Sequence, residues 1–120
     1  MTIPIGIRGL IHIWGQNNMT TSQKMGIRWV AKNPSGVVAE DYEDDAGTIG
    51  AGATHEFIGG RFDLNIPGTW TIVVGLFMGP GLTTQVASYS GTLCIVEQLK
   101  GTIIKKELEY DSARGAIPVQ

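Results

Sequence analysis

Few side chains in this chain of 120 residues are of the kinds that catalyse, and they are scattered. His12 lies between Ile11 and Ile13, while His55 stands beside Glu56 ahead of Phe57. Two imidazoles and a carboxylate that met in space would make a zinc site, but no HxH, HExxH or CxxC spacing is present to assemble one. They read instead as one surface and one half-buried histidine. Cys94, the single cysteine, sits in Thr92-Leu93-Cys94-Ile95-Val96 with no cationic neighbour to stabilise a thiolate, so a buried, inert thiol is expected. The run Glu40, Asp41, Glu43, Asp44 and Asp45 offers oxygen ligands but lacks the Asp-x-Asp-x-Asp-Gly order of the familiar calcium loop. It reads as a solvated acidic face, with calcium as the open alternative. Gly47 to Gly52 spells G-x-x-G-x-G without the strand and helix that would turn it into a phosphate cradle. No nucleophile stands near a base that would tune it. The expectation is a protein that is not an enzyme, with no catalytic, metal or cofactor-binding residue and no cofactor.

The aromatic residues point to binding instead. Trp29 and Trp70 fall on the apolar phase of their segments and belong to a core. Trp14 lies on the opposite phase to the isoleucines, beside Gly15 and a polar loop, so it is the tryptophan available to a partner, with His12 on the same face.

The elements that must hold these residues are strands. Ile3, Ile5, Ile7, Ile11 and Ile13 all occupy odd positions, which places five isoleucines on one face of an extended N-terminal segment; Pro4 puts its beginning at a sheet edge. The polar stretch Gly15 to Lys24 reads as a loop. Met25, Ile27, Trp29 and Ala31 then alternate with Arg28 and Lys32, a strand ended by the turn Asn33-Pro34-Ser35-Gly36. Val37 to Asp45 begins as a strand and ends in the carboxylates, and the Gly-rich Ala46 to Ala53 reads as a mobile connection. Thr54 to Ile58 and Arg61 to Asn65 are strands separated by Gly59-Gly60. Asn65 to Val96 is the clearest element: Trp70, Ile72, Val74 and Leu76 alternate with Thr71, Val73, Gly75 and Phe77, giving two largely apolar faces that suit a strand inside a sheet, and Gly79-Pro80-Gly81 turns it onto a second strand. Thr102 to Tyr110 reads as a last strand or an arm, and Asp111 to Gln120 as a tail whose Ile117-Pro118-Val119 is apolar enough to dock.

Composition narrows the class. One domain of this length buries about two thirds of its unfolded surface, and 42% apolar with 17% charged residues is globular composition. A net charge of −2, with no basic run beyond Lys105-Lys106, lacks the phosphate-neutralising surface a nucleic-acid partner requires. No apolar run reaches the roughly 20 residues of a membrane span, the opening residues do not read as a secretory signal, and one cysteine permits no internal disulfide.

Trp29 on an early strand, the Asn33 to Gly36 turn, and Phe62-Asp63-Leu64 leading to Pro67-Gly68-Thr69-Trp70-Thr71-Ile72 together resemble an immunoglobulin-like or fibronectin-like module over about residues 1 to 97. The resemblance implies an all-β, antiparallel sandwich of seven or eight strands over residues 1–99, with 100–120 added as a C-terminal arm and tail, and without the antibody-type cystine. Disulfide-free relatives of this kind serve as virion and surface modules. The expected function is therefore a structural subunit of a virus particle of the tailed-phage kind, a capsid, decoration or tail-associated protein. It would assemble in the host cytoplasm as a homo-oligomer or with other virion subunits, through His12, Trp14, Ile117, Pro118 and Val119. The alternative is a carbohydrate-binding or adhesion module of a larger secreted protein, with Trp14 or Tyr42 as a sugar platform.

Overall fold

The computed structural model describes residues 2–110 and 116–118. They are all-β, with one turn of 3-10 helix at Pro80–Leu82. The strands in chain order are β1 (Thr2–Ile3), β2 (Ile7–Gly9), β3 (His12–Gln16), β4 (Gln23–Lys32), β5 (Val38–Ile49), β6 (Thr54–Ile58), β7 (Phe62–Leu64), β8 (Gly68–Met78), β9 (Thr84–Val96), β10 (Glu107–Glu109) and β11 (Ala116–Pro118). A mixed five-stranded sheet has the order β1-β9-β8-β4-β5, and three two-stranded ribbons, β2-β7, β3-β6 and β10-β11, complete the set.

The five-stranded sheet is built on the β8–β9 hairpin and on β4, which pairs antiparallel with β8 from Met25↔Met78 to Lys32↔Thr71. Its inner face carries Met25, Ile27, Trp29, Ala31, Ile72, Val74 and Met78, all buried, and the β3-β6 ribbon closes over them with Phe57 of β6 and with Ile11, the residue just before β3. A second cluster of Leu64, Trp70, Cys94 and Val96 lies where the β2-β7 ribbon meets the sheet, joined by Ile3, Ile5 and Ile66. Gly15 lets the ribbon approach: a Cβ there would stand 2.9 Å from Leu76 Cδ1 and from Met25 Sδ. β8 is interior to the ladder as its pattern requires, but only one of its faces is covered. Val73 on the other face is 57% exposed, and its cross-strand neighbours Val30 and Ser90 belong to the same open surface.

Three expectations need correcting. The N-terminal segment is three strands rather than one. β1 pairs parallel with the end of β9, and the chain then crosses at Pro4–Gly6, where Gly6 has φ +89°, to join the opposite layer as β2 and β3. Proline removes a ladder donor and glycine supplies the left-handed turn, so the five isoleucines do not share a face, and Ile7 is exposed. The Gly-rich stretch after the carboxylates is not a mobile connection throughout, because β5 continues to Ile49 opposite Gln23. Gly47, at φ +73°, absorbs a bulge there, and its N–H is bound by Asp45 Oδ1 at 2.8 Å. Of Thr102 to Tyr110 only Glu107–Glu109 is strand, paired with Ala116–Pro118.

Candidate functional site

Each histidine takes its place from the β3-β6 register, in which His12 faces Ile58, Trp14 faces Glu56 and Gly15 faces His55. Even positions of β3 point away from the core and odd positions toward it, so His12 and Trp14 share the outer face with Glu56. His55 turns the other way and meets Phe57 edge-on, with ring centroids 4.6 Å apart. The two histidines are thus on opposite faces of one ribbon. Among the described residues no three His, Cys, Asp or Glu side chains converge as a metal site.

On the outer face, His12 Nδ1 lies 3.3 Å from Glu56 Oε2 and the His12 ring stacks beside Trp14 at 6.0 Å. Trp14 is 61% exposed. Its ring also borders a shallow apolar groove with Ile13, Leu76, Ala87 and Tyr89, between the ribbon and β9. Trp14 and His12 therefore lie together on one exposed platform. Ile117 and Pro118 lie far along the chain in β11, opposite Leu108 and Glu107, and Val119 is outside the described residues.

The acidic run divides in two. Asp41, Glu43 and Asp45 are exposed on one phase of β5, and Glu40, Tyr42 and Asp44 are half-buried on the other. Glu40 is a buried-side acceptor rather than a solvated charge: its Oε1 accepts from Trp29 Nε1 and its Oε2 from the Gly60 N–H, each at 2.7 Å. This carboxylate joins β4 and β5 to the bend between β6 and β7. Tyr42 stacks on Trp29 at 4.4 Å, and burial, with Asp44 and then Glu40 adding repulsion, raises its phenol above the usual range.

The polar loop after β3 is likewise pinned. Asn17 is fully buried; its amide donates to the carbonyls of Thr21, Ile49 and Gly50 at 3.0, 3.0 and 3.2 Å, and its Oδ1 accepts from Met19 N–H at 2.9 Å. Neither Glu40 nor Asn17 stands out in sequence, since each is one of several similar residues in a polar run.

The remaining feature is the C-terminal arm. After β9, residues 97–106 form no ladder, and Leu99, Ile103 and Ile104 are 79%, 80% and 93% exposed. A compact chain of this length has a radius of gyration of about 14 Å. The value here is 24.3 Å, with a longest dimension of 88 Å. The arm projects from the body. The chain matches no protein-family model and no curated protein. No helix among the described residues is long and apolar enough to cross a membrane.

Proposed function

We propose that this protein is a non-enzymatic structural subunit that assembles with neighbouring subunits through its C-terminal arm. The observation that carries the proposal is the arm itself, on which three large aliphatic side chains, Leu99, Ile103 and Ile104, stand largely uncovered by the described residues. Exposed aliphatic surface of this kind is costly to maintain and is a mark of an interface. The immunoglobulin-like reading belongs to the same proposal. It is supported by the long β8–β9 hairpin entered at Pro67-Gly68-Thr69-Trp70 and by the burial of Trp29 and Trp70. The setting that suits such a subunit is a virus particle of the tailed-phage kind, where many identical copies meet side by side.

Sedimentation of the full chain and of a chain lacking residues 99–120 tests the proposal. The full chain should be oligomeric and the shortened one monomeric and folded. Equal masses for the two would refute the role of the arm.

The exposed platform favours a second reading, a glycan-binding module. Trp14 offers an apolar ring face and Glu56 a carboxylate that accepts hydroxyl hydrogen bonds. A full chain that stays monomeric, yet binds glycans in a manner abolished by Trp14→Ala, would replace the first reading with this one.

A further inference from the structure

The two edges of the five-stranded sheet are unlike. β5 forms one edge and carries Glu40, Asp41, Glu43, Asp44 and Asp45, whose like charges oppose the approach of another strand. β9 forms the other. From Thr84 to Val96 it contains no charged residue and no proline, and β1 pairs only with its last two residues, Ile95 and Val96. The rest of that edge has no neighbour among the described residues. Register shifts opposite Trp70/Thr71 and Leu76/Phe77 place bulges at Leu93 and Val86, which leaves Ala87–Thr92 as the regular, unpaired stretch.

We infer that this stretch of β9 receives the arm of a second copy as an added strand, with Leu99 and Ile103 of the donor over Ala87, Tyr89 and Trp14 of the acceptor. The inference rests on the assembly role proposed above and names the acceptor. Sheet geometry supplies the match. Ala87 and Tyr89 face Leu76 and Val74 across the ladder and so lie on the inner face, where Tyr89 and Trp14 border the apolar groove. Ser88, Ser90 and Thr92 lie on the outer face, opposite Gly75, Val73 and Thr71. An extended arm alternates in the same way: Leu99, Gly101 and Ile103 occupy one phase, and Lys100, Thr102 and Ile104 the other. Backbone hydrogen bonds to the free edge hold the strand, and the groove reads its alternate side chains.

The donor is a second copy rather than the arm's own body. The arm leaves β9 at Val96 with β1 already on that edge, where Glu97 N–H donates to the Ile3 carbonyl at 2.8 Å. A tight hairpin return would have to displace β1. Among its described residues each chain presents an unpaired apolar segment and an unpaired edge, so copies satisfy both in equal number, whether the exchange closes into a ring or a dimer.

Two full-length variants mixed under mild oxidation test this, Ile103→Cys in one and Tyr89→Cys in the other, with Thr48→Cys on the β5 edge as the control acceptor. The expected result is an intermolecular disulfide between positions 103 and 89 and none between 103 and 48. The double variant Ala87→Lys/Tyr89→Lys, changed at positions exposed in the single chain, should fold normally and weaken assembly about tenfold or more, because a buried ammonium lacks a partner. Assembly that needs the arm but ignores both the β9 substitutions and the position-89 thiol would overturn the inference and leave the assembly role standing. A full chain that is monomeric at every concentration would overturn both.

Discussion

The carboxylate of Glu40 is the most informative single group to perturb, because both of its partners are donors. The indole N–H of Trp29, in a residue with no solvent exposure, and the N–H of Gly60 each lie 2.7 Å from one of its oxygens. An ionised carboxylate offers two acceptors, whereas the isosteric Gln offers one acceptor and one donor. In Glu40→Gln the amide oxygen stays on Trp29 and the NH2 is left facing the Gly60 N–H, which turns to water. Loss of charge assistance on one bond and of the other bond altogether costs about 1–2 kcal/mol. Glu40→Ala leaves the indole N–H buried and unpaired, at about 2–4 kcal/mol for the two lost bonds. A Cβ on Gly59 would lie 2.5 Å from Glu40 Oε1 and 2.9 Å from Trp29 Cζ2, so the space the carboxylate occupies exists only because residue 59 is glycine. The assay is urea denaturation followed by circular dichroism, with the slope required to stay constant so that midpoints report stability. The decisive arm is a cycle with Trp29→Phe, which removes the indole donor. Glu40→Ala should cost about 1–2 kcal/mol less in that background than in the native one. If the cost is the same in both backgrounds, or if Glu40→Ala lies within about 0.5 kcal/mol of wild type, the carboxylate does not hold the layers together as argued.

Two further outcomes follow from buried groups. Asn17→Asp replaces an amide that donates to three carbonyls with a carboxylate that repels them, and should destabilise by about 3–5 kcal/mol, well beyond Asn17→Ala in a thermal melt, with the deficit shrinking at acid pH as the acid regains a proton to donate. Burial raises the Cys94 thiol above its ordinary value; the native state therefore favours the protonated form, and this contribution is complete below about pH 8.5, the unfolded thiol's range, and is lost as pH rises through the native value. Urea midpoints of wild type should thus fall more steeply above about pH 9 than those of Cys94→Ala, and parallel curves would contradict the assignment.

What the sequence determined by itself was local. The period of two placed Met25, Ile27, Trp29 and Ala31, and Trp70, Ile72 and Val74, on a buried face, because side-chain alternation is a property of any extended chain. The same phase rule put Trp14 outside, and the apolar setting of Cys94 put it inside. The tertiary structure decided what those faces meet. Pro4 and Gly6 send the N-terminal isoleucines from one layer to the other, so one phase serves two sheets. Glu40, indistinguishable from its acidic neighbours by residue type, becomes the acceptor for a buried indole only when β5 lies against β4. The His12–Glu56 pair exists only through the β3-β6 register, and the unguarded β9 edge is visible only once β5 and its carboxylates are seen to occupy the opposite one. Periodicity is written residue by residue, whereas edges, registers and the partners of buried polar atoms arise from contacts between segments distant in sequence.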